Sequence, residues 1–307
     1  MTFSKLFFTI CDVNYIHYAM ACASSTIKNN LDSKFCIVLV FNGNENNELL
    51  ISKLKDEIVF RNRIEIVIDN DIVKNLHLDL MKKKYNIIEF CTSIKPFCFE
   101  YFLEKYNFVT YLDPDIFVYN NLDFKRSDSK SQISLTPHIL TSSDTPEMVS
   151  KRREFKYLQV GYFNLGYIGI TKSDESFSFL KWWQNRLIDL CLIDSKRGIF
   201  VDQKWIDVAF MNNPGLFHVI QDVGWNIAYW NIYERDHKLI TEDNNLKFIH
   251  FSARNNLLNI PDWNQYLKKY EYEVNINKDF VNLYTKKDVK KLNISKIRDF
   301  LKLSIFI

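Results

Sequence analysis

Glycine is scarce in this chain. Only 7 of the 307 residues are glycine, and the first of them is Gly43. Enzymes that bind phosphates with a glycine-rich loop after their first strand, such as nucleotide-sugar pyrophosphorylases, need glycine there so that backbone N–H groups can reach the phosphates. The lack of glycine before residue 43 therefore disfavours that class of enzyme.

Paired cysteines and a strong charge excess are also absent. The six cysteines form no C-x-x-C pair and lie mostly in apolar runs: Cys11, Cys22, Cys36, Cys91, Cys98 and Cys191. This pattern disfavours a zinc site or a disulfide framework, and it predicts small, reduced core residues of a cytosolic protein. The net charge of +3 predicts no nucleic-acid partner, because proteins that bind nucleic acids usually carry a large basic excess.

No apolar stretch approaches the ~18 residues that a transmembrane helix needs. Near the N-terminus Lys5 precedes an apolar run, but Asp12 interrupts that run directly after Cys11. Such a run is too short for the hydrophobic segment of a signal peptide. We therefore expect a cytoplasmic protein that is at most peripheral to a membrane.

The chain is rich in apolar residues (47%) and aromatic residues (15%), which are ample for a packed core. In its first part, strand-like runs alternate with helical ones. Strands are predicted at 6–11, 35–41 and 64–68, and helices at 16–27, 45–58 and 92–106. This alternation predicts an α/β fold with a doubly wound, mostly parallel sheet and flanking helices.

The second half of the chain also contains predicted strands and helices. Strands are predicted at 108–112, 116–119, 132–136, 160–170, 216–220, 226–230 and 246–251, and helices at 175–190 and 202–210. The polar segment 141–156 predicts a surface excursion over the site. There is no internal repeat, low-complexity block or Gly/Ser linker, so we assign residues 1–262 to one domain. Residues 263–307 are predicted to form a helical, increasingly basic tail.

The strand at 108–112 runs into Asp113-Pro114-Asp115, and a second apolar run follows. Pro114 cannot donate to a sheet ladder and biases Asp113 toward an extended conformation. The two carboxylates are therefore predicted on a turn at the C-terminal edge of a central strand, where open α/β sheets bind ligands. A hard divalent cation that also bridges to phosphate would relieve their repulsion. The alternative is a solvated Asp-Pro turn, which is common.

Several motifs in this order resemble metal-dependent nucleotide-sugar glycosyltransferases of the GT-A fold, and family-8 glycosyltransferases in particular. The resemblance extends over residues 6–251. Asp113 and Asp115 match the D-x-D motif, and the opening CDVNY is similar to the family's first-strand loop. The resemblance implies that three residues of this loop hold the nucleoside of a UDP-sugar: Asp12, Asn14 and Tyr15.

Four further motifs extend the resemblance. CTSIKPFCFEYFL is similar to the helix that carries a basic residue near the donor, here Lys95, and FNLG resembles the strand that places Asn164 by the donor sugar. Asp202 and Gln203 resemble the catalytic Asp-Gln pair at the anomeric carbon, and His250 resembles the family's late metal-binding histidine. The metal ligands implied by the resemblance are Asp113, Asp115 and His250.

Mixed oxygen and imidazole ligation suits Mn²⁺ better than Mg²⁺. In the family the histidine is usually followed by glycine and then Lys-Pro-Trp, whose lysine contacts the diphosphate. This chain has Phe251-Ser252-Ala253-Arg254-Asn255 instead, so Arg254 or another residue is predicted to replace that lysine. The carboxylate that many members direct at the donor sugar, shortly after the D-x-D, has no clear counterpart.

Alternative interpretations remain open for single residues. Lys95 can be interpreted as a solvated helix residue, Asp202 as a helix N-cap, His250 as a structural histidine and Tyr15 as a core residue. Among the tryptophans, one of two is predicted to shape the acceptor side, Trp225 or Trp230. Two others lie on a helical stripe and are predicted to be core, Trp182 and Trp183.

The segment 286–302 contains seven basic and two acidic residues, a net charge of +5 compared with +3 for the whole chain. Apolar residues alternate with these charges, so the segment is typical of a basic amphipathic helix on an anionic membrane surface. This pattern predicts a peripheral location on the cytoplasmic face of the inner membrane. A helix packed on the domain with a solvated face is the alternative.

Together, these features predict a metal-dependent, retaining glycosyltransferase that moves a hexose from a UDP-sugar to a growing surface glycan or glycolipid acceptor. One alternative is an inverting GT-A enzyme that uses another nucleotide-sugar. A second, of a different class, is a non-catalytic carbohydrate-binding protein that depends on a divalent metal. Such modules are usually shorter and all-β, so the α/β alternation disfavours this alternative.

Overall fold

A computed structural model describes residues 4–40, 51–52, 54, 63–73, 77–124, 130–152, 154–242, 245–252 and 261–285. The strands are β1 (Lys5–Cys11), β2 (Ser33–Leu39), β3 (Ile64–Ile68), β4 (Phe108–Leu112), β5 (Ile116–Val118), β6 (Ile133–Pro137), β7 (Phe163–Thr171), β8 (Ile193–Asp194), β9 (Ile199–Phe200), β10 (Phe217–Val219) and β11 (Phe248–His250). The α-helices are α1 (Ile16–Asn29), α2 (Asp69–Ile72), α3 (His77–Lys84), α4 (Ile87–Ser93), α5 (Lys95–Leu103), α6 (Pro146–Lys151), α7 (Phe155–Val160), α8 (Asp174–Leu190), α9 (Gln203–Asn212), α10 (His237–Glu242) and α11 (Asn264–Thr285).

The main sheet has seven strands in the order β10-β6-β7-β4-β1-β2-β3. Strand β7 runs antiparallel to both of its neighbours, and the other pairs are parallel. The predicted fold class, a mostly parallel sheet in an α/β fold, is therefore confirmed. Strands β1, β2 and β4 are almost wholly buried, as expected for apolar runs that are covered by helices on both faces.

Helices cover each face of the sheet with a separate apolar cluster. On one face Phe8 meets Phe99 and Phe102 of α5, and Trp183 of α8 is buried in the same cluster. The other face is covered by α1, and Phe280 of α11 packs into that cluster. Each large apolar side chain buried in this way stabilises the fold by about 1.5–3 kcal/mol.

A small second sheet brings a late part of the chain to the acidic turn. Strand β11 pairs antiparallel with β5, in a register that places His250 opposite Ile116. The Phe251 N–H also donates to the Asp115 carbonyl at 2.9 Å. This pairing explains how residue 250 reaches a turn more than a hundred residues earlier in the chain.

Three sequence predictions about these elements are wrong in detail. Residues 226–230 form a loop in which only Ile227 makes a β-bridge, to Ile249, because Asn226 has a φ of 51° and its side chain bonds to the Pro137 carbonyl. The strand predicted at 160–170 begins only at Phe163, since α7 precedes it and ends at Gly161 with a φ of 113°. The helix predicted at 92–106 is interrupted at Ile94, two residues before Pro96, which lacks the N–H that would continue it.

Other predicted segments lie partly or wholly outside the described residues. Of the helix predicted at 45–58, the structure describes Ile51, Ser52 and Leu54, and all three are helical. Arg254 and the basic segment 286–307 are not among the described residues. Helix α11 packs onto the domain, where Tyr270 stacks on Phe251 at a ring-centroid distance of 4.1 Å.

All six cysteines are unpaired, and all but Cys91 are buried. Their burial agrees with their prediction as core residues. In the described part of the chain, no helix combines the length and apolar character needed to cross a bilayer.

Candidate active site

The carboxyl ends of two central strands meet at one edge of the sheet. Strands β1 and β4 are parallel, with Phe8 opposite Tyr111, so Asp12 and Asp113 follow these strands at the same edge. The antiparallel strand β7 begins at this edge, and the Asp113 N–H donates to the Gly166 carbonyl at 2.8 Å. The topology therefore gathers residues from three distant segments of the chain here.

Asp113, Asp115 and His250 converge at this edge. His250 Nε2 lies 3.1 Å from Asp115 Oδ1 and 3.6 Å from Asp113 Oδ2. The three possible ligand atoms all lie within 4.8 Å of one another. Adjacent ligands of an octahedral ion with bonds of ~2.1 Å are ~3 Å apart. The oxygen and imidazole groups therefore fit a divalent cation.

The charges around His250 also favour a cation at this position. Burial lowers the pKa of His250, but the nearby carboxylates of Asp115 and Asp113 outweigh that effect and raise the pKa above its usual value. The Asp113 carboxylate is held in place by the Tyr111 hydroxyl, which donates to Oδ1 at 2.7 Å. This anchor aligns one carboxylate before any ligand arrives.

Lys95 is only 2% exposed, so its interpretation as a solvated helix residue is wrong. Its Nζ lies 2.8 Å from Asp202 Oδ2 and 4.0 Å from Asp113 Oδ1, and it donates to the Leu165 carbonyl at 3.1 Å. Burial lowers the pKa of Lys95, but Asp202 and Asp113 raise it more, so the ammonium stays charged. Lys95 thus links Asp202 to the acidic turn.

Asp202 and Gln203 are both buried at the start of α9. Asp202 occupies the N-cap position of α9, as the alternative interpretation predicts, but its side chain makes no capping hydrogen bond. Burial raises the pKa of Asp202 although Lys95 counteracts it. The Gln203 amide accepts from the Leu165 N–H at 3.0 Å and donates to the Val160 carbonyl at 2.7 Å. Gln203 therefore ties the start of β7 to the end of α7.

Asp12, Asn14 and Tyr15 form a tight turn between β1 and α1. Asp12 accepts from the Tyr15 N–H at 3.1 Å and from the Asn14 side-chain amide at 2.8 Å. Tyr15 is 51% exposed, so it is not a core residue. Its ring lies 5.2 Å from that of Tyr18. The turn therefore presents an aromatic ring and polar groups at the same edge as Asp113.

Sequence reasoning missed His138, which follows β6 directly. Its Nδ1 is 3.3 Å from the Tyr162 carbonyl, and its Nε2 is 3.4 Å from Asn164 Nδ2. Asn164 Oδ1 in turn lies 3.2 Å from His250 Nδ1. Burial lowers the pKa of His138 to about 4. The available signal was its place after a predicted strand, where a polar residue would reach the same sheet edge.

Aromatic side chains line one side of the site. The Trp230 ring lies 5.4 Å from the His250 ring, and its Nε1–H donates to the His138 carbonyl at 3.2 Å. The Tyr157 ring stacks on His138 at 5.3 Å. Trp225, by contrast, is 1% exposed and packs in the core against Phe248. Of the two tryptophans considered for the acceptor side, Trp230 alone remains a candidate.

The two tryptophans of α8 also differ from each other. Trp183 is completely buried, as predicted. Trp182 is half-buried, and the Arg186 guanidinium lies 3.8 Å from its ring centroid. Trp182 therefore forms the edge of the core rather than its interior.

The mostly parallel sheet thus carries two carboxylates and a histidine at its C-terminal edge. The model of the family "Glycosyl transferase family 8" matches residues 7–170. That match includes more than half of the chain, and the chain belongs to this family. The predicted resemblance to family-8 enzymes is confirmed.

Two uncharacterized proteins of Bacillus subtilis (strain 168) are similar in sequence. YfnD is 25% identical over 188 residues, which cover 57% of this chain and 57% of YfnD. YfnF is 24% identical over 257 residues, which cover 80% of each chain. The chain thus spans little more than half of YfnD, and neither name states an activity.

Among solved structures, the apo form of the glycosyltransferase GlyE from Streptococcus pneumoniae TIGR4 is similar, with a TM-score of 0.50 and 12% sequence identity. The match covers 94% of this chain and 66% of the GlyE chain. At such low identity the likeness supports the fold alone.

Proposed function

We propose that the protein is a metal-dependent, retaining glycosyltransferase that transfers a hexose from a UDP-sugar to a saccharide acceptor. The observation that carries this proposal is the convergence of Asp113, Asp115 and His250 beside the buried Lys95–Asp202 pair. Membership of glycosyl transferase family 8 supports the reaction class.

Asp113, Asp115 and His250 would hold the cation, and their mixed oxygen and nitrogen donors suit Mn²⁺ better than Mg²⁺. When bound, such an ion neutralises the negative charge that develops on the departing diphosphate. The turn after β1 holds the nucleoside in this proposal. Its residues at that contact are Asp12, Asn14 and Tyr15.

Lys95 and Asn164 complete the donor side. The Lys95 ammonium is 4.0 Å from Asp113, so it adds positive charge beside the acidic turn. Asn164 is nearly buried at the start of β7, and its amide would bond to hydroxyls of the donor sugar. Arg254 is proposed at the diphosphate from the sequence alone, since it lies outside the described residues.

The contacts of Asp202 and Gln203 support retention of configuration at the anomeric carbon. An inverting enzyme needs a carboxylate that takes the acceptor's proton. The Asp202 carboxylate is paired with the Lys95 ammonium at 2.8 Å, so it is not free to take a proton from the acceptor. Gln203 is uncharged and held by two backbone groups. Its dipole can stabilise an oxocarbenium-like sugar while the departing phosphate accepts the proton.

The aromatic wall beside His250 supports a saccharide acceptor. Trp230 is next to Tyr229, with ring centroids 5.3 Å apart. Tyr229 and Tyr162 are both exposed. Aromatic rings of this kind offer flat apolar faces with a polar tip, which suits one face of a sugar ring. A growing surface glycan or glycolipid would present such rings.

The test is Mn²⁺-dependent hydrolysis of a panel of nucleotide-sugars by the full chain, followed by transfer to saccharides. Asp115→Asn should abolish both reactions, because the site loses a charged ligand. Asp189→Asn changes an exposed carboxylate that pairs with Lys84 on the surface and should have no effect. Full turnover in excess EDTA would rule out the metal-dependent reaction. Saccharide binding with neither UDP binding nor donor hydrolysis would favour a carbohydrate-binding protein.

The anomeric configuration tests the stereochemical part separately. A retaining enzyme should give an α-linked product from an α-linked UDP-hexose. Proton NMR of fresh product from a gluco- or galacto-configured donor should therefore show a small anomeric coupling. A large axial–axial coupling would mean a β-linkage and would show that the enzyme inverts.

The basic segment 286–302 supports a peripheral location on the cytoplasmic face of the inner membrane. Its charge of +5 comes from the sequence, and each lysine or arginine near an anionic surface contributes about 1 kcal/mol of binding. Cosedimentation with anionic vesicles should be lost when residues 286–307 are deleted. Equal binding of the full and shortened chains would show that this segment is not the anchor.

A further inference from the structure

The Asn-x-Gly segment of β7 lies directly against His250. Asn164 Oδ1 is 3.2 Å from His250 Nδ1. A Cβ atom added at Gly166 would lie 2.6 Å from His250 Cε1 and 2.8 Å from Nδ1. Both distances are far below van der Waals contact, so only glycine at 166 lets the imidazole ring approach the strand. Two positions of one motif therefore serve the same ring.

A chain of hydrogen bonds determines which nitrogen of neutral His250 carries the hydrogen. The Tyr162 carbonyl can only accept, so His138 Nδ1, at 3.3 Å, must donate to it. Neutral His138 then has a lone pair on Nε2, which accepts from Asn164 Nδ2 at 3.4 Å. The amide in this orientation presents its oxygen to His250. The hydrogen of His250 therefore belongs on Nδ1.

With its hydrogen on Nδ1, His250 directs the lone pair of Nε2 toward Asp113 and Asp115, as a metal ligand requires. We infer that three residues form a positioning unit that holds His250 in its metal-binding tautomer and ring orientation: His138, Asn164 and Gly166. This inference rests on the metal site of the proposed function. The amide of Asn164 has two N–H groups and two acceptor positions, and the histidines use one of each. The remainder can serve the donor sugar.

The test measures Mn²⁺ affinity of the full chain from the free-Mn²⁺ signal in electron paramagnetic resonance. Asn164→Leu and Gly166→Ala should each weaken Mn²⁺ binding by about 10- to 100-fold, the usual effect of losing a partner of a metal-ligating histidine. Asn164→Asp should restore part of the affinity, because a carboxylate oxygen accepts the hydrogen bond from His250 Nδ1 although it cannot donate to His138 Nε2. Rescue by this variant separates positioning from a merely structural role.

Gly169→Ala is the matched control. Its new Cβ would lie 2.5 Å from Ser134 Oγ and 2.8 Å from Phe108 Cζ. The substitution therefore strains the same strand, but at a position that does not contact His250. It should lower stability and leave the Mn²⁺ affinity of the folded protein unchanged. Equal loss of Mn²⁺ affinity in Gly166→Ala and Gly169→Ala would overturn the inference.

A second readout does not involve the metal. Nitrogen NMR of imidazole side chains in metal-free protein should show His138 neutral at pH 6, with its hydrogen on Nδ1. A hydrogen on His138 Nε2 would require the Asn164 amide to turn its oxygen toward His138 and its N–H groups toward His250. That result would overturn the inference. The wild type should bind Mn²⁺ and Asp115→Asn should not. If that holds but Asn164→Leu binds Mn²⁺ as tightly as the wild type, the positioning unit is wrong and the metal site stands. If the wild type binds no Mn²⁺, the proposed metal site is wrong as well.

Discussion

At the scale of single residues, the least expected feature is a lysine that is buried beside the acidic turn. Lys95 opens α5 and pairs with Asp202, and both side chains are 2% exposed. Two charges taken out of water are costly unless they neutralise each other with good geometry. The pair therefore places a fixed charge near Asp113 at the expense of stability, as is common at functional sites.

The first prediction concerns this pair. Lys95→Met should destabilise the fold by about 3–5 kcal/mol, because it leaves the Asp202 carboxylate buried without its partner. Adding Asp202→Leu should recover much of that loss. Lys84→Met, which removes an exposed pair with Asp189, should cost less than about 1 kcal/mol. Urea unfolding measures all three variants. An equal loss for Lys95→Met and Lys84→Met would contradict the prediction.

The second prediction concerns His138 and pH. Its folded-state pKa of about 4 lies below the ordinary histidine pKa of about 6.5, so between these values the unfolded chain binds a proton that the folded chain does not. Stability should therefore fall as the pH drops from about 6.5 to 4, by about 3 kcal/mol from this residue. Urea unfolding across this pH range should show that the free energy of unfolding changes less steeply with pH in His138→Gln than in the wild type. The pKa of His250 is raised in the folded state, so the stability that this residue contributes is lost as the pH rises above about 6.5.

At the scale of elements, the buried strands were predictable and the loops were not. Runs such as 108–112 are short, apolar and bounded by turn residues, and that pattern is sufficient for a strand. The segment 226–230 has a similar composition but is a loop, because side-chain amides of Asn226 and Asn231 bond to backbone carbonyls. The bond from Asn231 to the Asn226 carbonyl is local and competes with sheet pairing. The bonds to Pro137 and His138 reach distant parts of the chain, and no periodicity in the sequence reports them.

The third prediction concerns β11, which carries His250. Phe248 in this strand is completely buried and packs against Trp225 and Tyr167, with ring centroids 5.8 and 5.9 Å away. Phe248→Ala should cost about 3–5 kcal/mol and should also weaken Mn²⁺ binding, because β11 loses its anchor. Urea unfolding and Mn²⁺ titration measure the two effects. Tyr272→Ala, at an exposed position of α11, should change stability by less than about 0.5 kcal/mol and leave Mn²⁺ binding unaltered. A wild-type Mn²⁺ affinity in Phe248→Ala would argue against this link.

At the scale of the whole molecule, the site is assembled from residues that are distant in sequence. Asp113 and Asp115 were recognisable because a strand precedes them, and Asp202 and His250 through family motifs. Their mutual contacts depend on two strand pairings, the antiparallel pairing of β7 with β4 and the pairing of β5 with β11. Both pairings join strands that are distant in sequence. His138 carried no family motif, and the Lys95–Asp202 contact joins two helix starts. Neither could be obtained from local sequence patterns.

The last prediction follows from the same arrangement. The candidate ligands lie at the edge of the sheet, and the core beneath them is apolar, so excess EDTA should leave the far-UV circular dichroism unchanged. Mn²⁺ and UDP should instead bind the assembled site and not the unfolded chain. Ligand at 100 times its Kd should then add about 2.7 kcal/mol to the free energy of unfolding, measured by urea unfolding. Asp115→Asn should lose this gain while keeping its stability in the absence of ligand. Stabilisation of Asp115→Asn equal to that of the wild type would mean that Mn²⁺ and UDP bind elsewhere.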